Sequence, residues 1–365
     1  MAKHIAIVSL GNVSEDTGGR NYLINFVKTL YKLNLPHRFA VYLSPNQKHL
    51  IEPFLSENIR VVEVPPHRTS SVAKVLSEQM FLPFYLSRAV DVAYFPGNFV
   101  SLLSPVPSVV AIRSMLYYHY PYTVDKVRLL VRKTLTPPSA RKARVIITPS
   151  EDIKKDVVKF VGINERKIRV VHHGIDVETF QQNYSDLERE AIFQKFSIKL
   201  PFILYASALW EYKNQDKLIL AFDKLLREKG LDMQLVIAGK GIDARAAYQN
   251  RLQELVRAHR LEGRVIFTGQ LSHSELKYFY RYCAVFAYPS GYESFGNPLF
   301  EAWAAGAPVV CSNVHSFPEM TLGGHCALMV NPYNVDELAD ALYRVITHPS
   351  LRQSLVEAGK KRISS

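Results

Sequence analysis

Two glutamates flank a glycine-containing turn in the second half of the 365-residue chain. Glu293 follows an apolar run that reads as a strand. Glu301 lies about one turn into a helix, which we expect to begin near Pro298 because proline is favoured in a first helical turn. A helix start binds anions through its backbone N–H groups and its dipole. Here these backbone N–H groups would be those of Phe295, Gly296 and Asn297. A carboxylate one turn further on could accept hydrogen bonds from a ribose diol; the alternative is two surface glutamates around an ordinary loop.

The whole string from Pro289 to Val310 resembles the donor-binding signature of retaining glycosyltransferases of family 4. The seven residues between the two glutamates match, as do Ser-Phe-Gly after the first and Glu-Ala-Trp-Ala-Ala-Gly-Ala-Pro-Val-Val from the second. The resemblance implies an α/β protein with the GT-B fold, in which two Rossmann-like domains with parallel sheets face each other across a donor and acceptor cleft.

Further segments resemble motifs of this family in the expected order. Gly18 and Gly19 follow the first apolar run and precede a helix, like the glycine loop over the donor phosphates. His-Gly-Ile-Asp at 173–176 resembles the hinge between the domains. Residues 205–214 resemble the strand, loop and helix start that supply a phosphate-binding lysine, here Lys213.

Two more segments, around Gly239 and Leu271, resemble the strand ends that flank the nucleotide base. The resemblance therefore implies a nucleotide-sugar donor in the C-terminal domain and a saccharide or lipid-linked acceptor in the N-terminal domain. Lys213 would hold the diphosphate and Glu301 the ribose hydroxyls. Glu293 would hold the donor sugar together with the loop residues Ser294, Phe295, Gly296 and Asn297.

The chain contains no Asp-x-Asp triplet, so we expect neither a metal ion nor another cofactor. Lys213, helix N-termini and the glycine loops would offset the diphosphate charge instead. The resemblance implies transfer with retention of anomeric configuration, the leaving diphosphate assisting the attack. Our best guess for the donor is a UDP-sugar, with glucose as the hexose.

The chain departs from the family pattern at two positions of these motifs. Ala208 stands where an arginine usually precedes the lysine, so that Arg113, Arg20 or a basic residue of the acceptor could replace a phosphate partner. Arg113 itself, followed by serine, stands where the family commonly has His-Asp near the reacting centre. His119 is the nearest histidine, and it either faces the donor sugar as a catalytic residue or is a loop histidine among tyrosines. These departures keep open a second function, a nucleotide-sugar-binding partner without transfer activity.

Short apolar runs alternate with amphipathic helices along the whole chain, which predicts βαβ units and parallel sheets. We place the acceptor domain at 1–176, a polar linker at 177–200 and the donor domain at 201–365. The chain ends at Ser365, where the family leads us to expect a further helix; a truncated chain and a naturally short one are both open. Residues 92–112 carry no charge, but their prolines and glycine predict two buried strands rather than a membrane helix.

The net charge of +12 lies entirely in the first half of the chain. Residues 126–169 alone hold 13 basic and 4 acidic side chains, so an acidic partner should approach this half. Residues 125–135 place basic side chains beside Val127, Leu130, Val131 and Leu135 at helical spacing. This pattern fits an anionic membrane surface or a lipid-diphosphate carrier. The alternative is that the apolar side chains pack on the first sheet.

The remaining features exclude several classes of protein. No helix-turn-helix, zinc or ribonucleoprotein signature accompanies the basic charge, so we do not expect a nucleic-acid partner. The lack of Gly-x-Gly-x-x-Gly after Leu10 argues against a dinucleotide-binding dehydrogenase. Three cysteines without metal-ligand spacing fit a reducing compartment, so we expect a cytoplasmic protein that can lie peripherally on the inner face of the cell membrane.

Overall fold

The computed structural model describes residues 2–10, 18–64, 78–86, 90–182, 184–199, 201–241 and 246–364. The chain divides into two compact units, Met1–Gly174 and Ile175–Ser365, called here the first and the second unit. Each contains a parallel sheet with helices between most of its successive strands. The predicted alternation of strands and helices is therefore present in both halves.

The first unit holds a seven-stranded parallel sheet in the order β3-β2-β1-β4-β5-β6-β7. Its strands are β1 (His4–Ser9), β2 (Arg38–Leu43), β3 (Ile59–Glu63), β4 (Val92–Phe95), β5 (Ser108–Ala111), β6 (Val145–Thr148) and β7 (Ile168–Val170). Its α-helices are α1 (Gly18–Leu33), α2 (Leu82–Tyr85), α3 (Leu116–His119), α4 (Lys126–Lys142) and α5 (Glu151–Val161). Short 3-10 helices lie at Pro45–Leu50, Glu52–Phe54, Pro121–Thr123 and Glu165–Lys167.

The second unit holds a six-stranded parallel sheet in the order β10-β9-β8-β11-β12-β13. Its strands are β8 (Phe202–Ala206), β9 (Gln234–Ala238), β10 (Val265–Gly269), β11 (Val285–Tyr288), β12 (Val309–Ser312) and β13 (Leu328–Val330). Its α-helices are α6 (Val177–Gln181), α7 (Asp186–Lys195), α8 (Gln215–Arg227), α9 (Ala246–Ala258), α10 (His273–Tyr282), α11 (Asn297–Ala305), α12 (Phe317–Met320), α13 (Val335–Thr347) and α14 (Pro349–Ser364). A 3-10 helix at Glu211–Lys213 precedes α8.

The central strands are apolar along their whole length because helices cover both faces of a parallel sheet. Every residue of β8, β9 and β11 is buried. Ser272 and Glu275 form a reciprocal capping box at the start of α10.

Strand order reverses between β1 and β4 in the first sheet and between β8 and β11 in the second. At such a point the loops from neighbouring strands diverge, and open α/β sheets bind ligands in the resulting crevice. The carboxyl ends of β8 and β11 lead to Lys213 and Glu293, respectively. The carboxyl ends of β4 and of its other neighbour, β5, lead to Asn98 and Arg113.

The structure differs from the sequence analysis in several details. Residues 177–200, which we expected to form a linker, contain α6 and α7, and Phe180, Phe193 and Ile198 of this stretch are buried in the second core. Helix α4 runs through Pro137 and Pro138, although prolines usually end a helix. It continues because the residues around them pack on the sheet: Thr136, Ser139 and Ala140 are buried.

The uncharged stretch 92–112 forms β4, a loop and β5, as predicted. Within the described ranges, no helix is long and apolar enough to span a bilayer. Residues 11–17, which precede the two glycines of the expected glycine loop, and residues 65–77 lie outside the described residues.

Candidate active site

Lys213 and Glu293 form an ion pair at the carboxyl edge of the second sheet. The lysine Nζ lies 2.9 Å from Glu293 Oε1 and donates to Ser207 Oγ at 2.6 Å. The Tyr288 hydroxyl donates to the same glutamate oxygen at 2.6 Å. The lysine and glutamate side chains are only 9% and 16% exposed, so water screens their attraction weakly. The two predicted residues are therefore held together by the fold itself.

Two hydrogen bonds between neighbouring loops, one from a side-chain amide and one from a backbone N–H, fix this pair. Asn214 adopts the left-handed conformation at φ 56°, which asparagine tolerates well, and its amide donates to the Pro289 carbonyl at 2.9 Å. The N–H of Gly291 donates to the Tyr212 carbonyl at 2.6 Å. The loop that carries Lys213 is thus fastened to the loop that carries Glu293.

A buried polar network lies under the lysine loop. Gln215 donates to the hydroxyl of Tyr205 at 2.9 Å and to the carbonyl of Ala208 at 3.1 Å.

Burial raises the pKa of Tyr288 well above its ordinary value, and the neighbouring Glu293 carboxylate raises it further. Tyr288 therefore stays protonated and remains a hydrogen-bond donor to Glu293 near neutral pH.

Glu301 lies in α11, five residues along a helix that begins at Asn297. The Tyr280 hydroxyl donates to Glu301 Oε2 at 3.1 Å. Burial raises the pKa of Glu301, while His273 and the bond from Tyr280 act in the opposite direction. The carboxyl group is thus held by one neighbour and keeps a second oxygen for another donor.

The start of α11 is shaped by Gly296, which adopts φ 93° and leaves the first turn without a side-chain cap. An uncapped helix start presents backbone donors and the positive end of the helix dipole. Phe295, the residue before it, is buried and stacks on Phe300 with 4.7 Å between ring centroids. Ser294 is half-buried and Asn297 is exposed. The loop therefore combines a packed anchor with a polar rim.

Gly239 and Leu271 follow β9 and β10. A side chain at Gly239 would overlap the carbonyl oxygen of Ser207, so only glycine allows these two loops to approach. The N–H of Gly239 donates to the Gly269 carbonyl at 2.9 Å. Leu271 packs partly buried against the second core. Both predicted residues thus line the same edge of the sheet as Lys213.

Arg113 lies on the corresponding edge of the first sheet, two residues beyond β5. Its guanidinium carbon is 4.7 Å from the ring centroid of Tyr22, a cation–π distance. Its backbone N–H donates to Asn98 Oδ1 at 3.0 Å. Arg113 and Lys213 are thus basic groups at the carboxyl edges of the first and second sheets, respectively.

Two protein families match the chain. Glycosyltransferase Family 4 matches residues 17–179, and Glycosyl transferases group 1 matches residues 188–362. The chain belongs to these glycosyltransferases. The resemblance stated from the sequence is confirmed.

Curated relatives of this family are about a quarter to a third identical to the chain over the segments that align. An uncharacterized glycosyltransferase of Methanocaldococcus jannaschii is 31% identical over 60% of this chain and 55% of its own length. The O-antigen chain mannosyltransferase B of Escherichia coli is 28% identical over 64% of this chain and 59% of its own length. The matched part thus spans less than two thirds of these relatives.

Solved structures match over almost the whole chain. Anabaena HepE in complex with UDP and glucose has a TM-score of 0.78 at 18% identity, covering 99% of this chain and 95% of that one. Sucrose-phosphate synthase from Thermosynechococcus elongatus has a TM-score of 0.78 at 20% identity, covering 99% and 94%. The predicted fold, GT-B with two Rossmann-like domains, is confirmed.

His119 contacts a buried carboxylate in this chain. Its Nε2 lies 2.6 Å from Asp156 Oδ2, and its ring meets the edge of Phe160 at 5.4 Å between centroids. It ends helix α3 instead of lying in a loop, so the alternative of a loop histidine is wrong in that detail. The role that we expected for it beside the donor sugar stays a prediction.

Gly18 and Gly19 are the first two residues of α1, and Arg20 follows in the same turn. The structure thus places these glycines at the start of a helix that leaves the carboxyl end of β1. The residues between β1 and the helix, 11–17, lie outside the described residues. The phosphate-binding role of all three stays a prediction.

The basic segment of the first unit forms α4. Val127 and Leu130 are 55% and 64% exposed, next to the exposed bases Lys126 and Arg128. The alternative, in which the apolar side chains of this segment pack on the first sheet, is therefore wrong for these two, whereas Val131 and Leu135 are half-buried. Arg132 instead turns towards the Tyr117 ring, 5.5 Å from its centroid.

The sequence analysis missed the polar neighbours of the charged residues: Ser207, Tyr288 and Tyr280. Ser207 and Tyr288 stand at the carboxyl ends of β8 and β11, the strands that supply the lysine and glutamate loops. Their positions at strand ends could have signalled them. Tyr280 lies in the last turn of α10, and nothing in its local pattern separates it from an ordinary core aromatic residue.

Proposed function

We propose that this protein is a retaining glycosyltransferase that moves a hexose from a nucleotide diphosphate sugar to a glycan or lipid-linked saccharide without a metal ion. The observation that carries the proposal is the Lys213–Glu293 pair at the switch point of the second sheet, beside the uncapped start of α11. Membership of the family supports it.

Lys213 is suited to receive the leaving diphosphate. An ammonium group has three donors. Two are used on Ser207 and Glu293, whereas the third reaches only the Tyr288 hydroxyl at 3.4 Å, the longest of its contacts. A phosphate oxygen would replace this weakest bond with a charge-assisted one. The lysine could thereby stabilise the leaving group while it still holds Glu293.

The other groups divide the donor between them. Glu301 would accept hydrogen bonds from the ribose hydroxyls through the oxygen that Tyr280 leaves open. Glu293, oriented by Tyr288, would bind the hydroxyls of the hexose. The start of α11 would face the phosphates. With the acceptor attacking on the leaving-group side, the departing diphosphate takes its proton, and the anomeric configuration is retained.

We propose UDP-glucose as the donor. The support is that the Anabaena protein was solved with UDP and glucose, although mannosyltransferases stand among the curated relatives. A thermal-shift panel of UDP, GDP, ADP and their sugars tests this, since a ligand at a hundred times its Kd adds about 2.7 kcal/mol of stability. A larger shift with GDP-mannose than with UDP-glucose would contradict the donor assignment.

Incubation with labelled nucleotide sugar separates the enzyme from a binding partner without activity. Even slow hydrolysis of the donor marks an enzyme, and it should survive EDTA. Loss of turnover in EDTA that is restored by Mn²⁺ would contradict the metal-free mechanism. NMR of the transferred sugar should show the same anomeric configuration as the donor; the opposite configuration would contradict retention.

We also propose that the exposed face of α4 lies on an anionic membrane, where the saccharide acceptor is carried on a lipid. Val127 and Leu130 can enter the headgroup region while Lys126 and Arg128 contact anionic lipids, each contributing about 1 kcal/mol near the surface. In flotation assays, vesicles with anionic lipid should retain the protein at low salt. Replacing Val127 and Leu130 by serine should weaken this retention, and unchanged flotation would contradict the proposal.

A further inference from the structure

Arg113 is a charged side chain of the first unit to which the proposed donor mechanism assigns no role. It stands beyond β5, whose neighbour β4 adjoins β1 at the switch point of the first sheet. Tyr94 lies in β4 itself, and Tyr22 lies in α1, the helix after β1. The three side chains therefore converge on the edge where a sheet of this topology binds ligands.

The contacts of Arg113 hold it without neutralising it. Its guanidinium stacks over the Tyr22 ring, and the Tyr22 hydroxyl is 2.5 Å from the Tyr94 hydroxyl. Its Nε is buried and has no hydrogen-bond partner. Among the described residues, no carboxylate forms an ion pair with it; the groups that act on its charge are the two tyrosines.

These tyrosines are not counter-ions. Burial raises the pKa of Tyr94 far above its ordinary value, and the nearby Tyr22 raises it further, so its hydroxyl stays neutral. Burial lowers the pKa of Arg113, but an arginine begins so far above neutrality that it remains charged. A desolvated cation with an unused donor is costly unless an anion completes it.

The chemistry of the missing partner follows from the guanidinium. Its planar fork matches the paired oxygens of a phosphate or a carboxylate. The aromatic face beneath it and the tyrosine hydroxyl beside it are common features of a sugar-binding surface, which needs an apolar platform and polar rims. The excess of 24 basic over 12 acidic residues in 1–173 favours the approach of an anion to this unit.

We propose that Arg113, stacked on Tyr22, binds an anionic group, a phosphate or a carboxylate, on the saccharide acceptor. The identification of this ligand as the acceptor rests on the proposed function. The presence of an anion subsite in the first unit does not, because its contacts lie entirely within Met1–Gly174.

Ligand-observed NMR on the intact protein can test the subsite with three matched probes. Glucose has no charge, glucose 6-phosphate carries a phosphate, and glucuronate carries a carboxylate. The measurements are made with saturating UDP, which occupies the phosphate-binding groups of the proposed donor site and so keeps the charged probes out of it. At least one charged probe should bind ten or more times tighter than glucose, and the stronger of the two identifies the class of the acceptor anion.

Variants locate the binding. Arg113→Gln should abolish the preference for the charged probe, and Arg113→Lys should weaken it because the charge remains but the fork is lost. Arg60→Gln removes an exposed arginine of the same unit and should change nothing. Equal binding of charged and neutral probes would overturn the proposal, as would a preference that persists in folded Arg113→Gln.

Two further results distinguish the sources of failure. A preference that is lost in Lys213→Ala and kept in Arg113→Gln would place the anion in the donor site and overturn the proposal. Glu15 and Asp16 lie outside the described residues. If the charged probes bind only after Glu15 and Asp16 are both replaced by their neutral amides, the chain itself supplies the anion that pairs with Arg113. That result would also overturn the proposal. Failure of UDP to bind would count against the proposed function alone.

Discussion

The ion pair between Lys213 and Glu293 should contribute to folding as well as to donor binding, and a double-mutant cycle can measure both. Replacing the lysine by methionine keeps its length but leaves the glutamate with Tyr288 as its remaining charge-stabilising neighbour. Removing one partner of a buried pair typically costs about 3–5 kcal/mol. For a unit of this size, that loss lowers the melting temperature by about 6–20 °C, which calorimetry resolves easily.

The double variant Lys213→Met, Glu293→Gln should cost less than the sum of the single variants, because it leaves no unpaired charge. Residues in contact usually couple by about 0.5–3 kcal/mol, and the low exposure of this pair places the expected value in the upper half of that range. Lys229 and Asp340 form a more exposed pair in the same unit and serve as the matched control, with coupling below about 1 kcal/mol.

Activity should follow a different pattern from stability. Lys213→Met should reduce donor turnover at least tenfold, and adding Glu293→Gln should restore stability without restoring turnover, because the diphosphate still lacks its cation. Single variants whose costs add to that of the double within about 0.5 kcal/mol would refute the buried-pair reasoning. Turnover that recovers together with stability would refute the assignment of Lys213 to the leaving group.

Three other variants probe the second unit. Glu301→Gln should weaken nucleotide binding by about 1.5–3 kcal/mol in titration calorimetry. Because burial raises the pKa of Glu301, the free energy of unfolding should fall as pH rises through that pKa. In melting experiments over a range of pH, the Glu301→Gln variant should show a smaller decline than the parent protein. Gly239→Ala should push back the loop after β8 and weaken donor binding at least tenfold, an unchanged Kd counting against it. Gly359→Ala should destabilise by about 1–3 kcal/mol, although alanine favours helices, because its methyl would overlap the buried ring of Trp303; Gly174→Ala, which meets open space, should not.

Much of the architecture could be predicted from the sequence because parallel sheets have a strong local signature. Strands buried on both faces are continuous apolar runs, and each such run, including Phe202–Ala206 and Val285–Tyr288, is a strand in the structure. Breaks in that local logic were harder to predict. Helix α4 crosses Pro137 and Pro138 because buried contacts outweigh the local preference, and such contacts cannot be read from neighbouring residues.

The site shows the same division. Lys213 and Glu293 belong to motifs whose order along the chain predicts their meeting at one sheet edge, and they do meet. The hydroxyls that bond to the two glutamates, Tyr288 to Glu293 and Tyr280 to Glu301, come from a strand end and from the last turn of a helix. Their roles depend on distances between elements, which the sequence does not contain. For His119 the sequence likewise did not show the partner that the fold provides, Asp156, and its role beside the donor sugar stays a prediction.

The two sheet edges differ in how their cations are balanced, and this difference separates two ways of binding an anion. Lys213 is paired with Glu293 within the chain, so under the proposed function a phosphate only has to take over one weak bond. Arg113 has aromatic neighbours and no carboxylate partner among the described residues, so under the proposed subsite a ligand brings the balancing anion. A site of the first kind tolerates an empty state at little cost. A site of the second kind gains most from binding the right ligand and rejects a neutral analogue, which is the behaviour that an acceptor subsite requires.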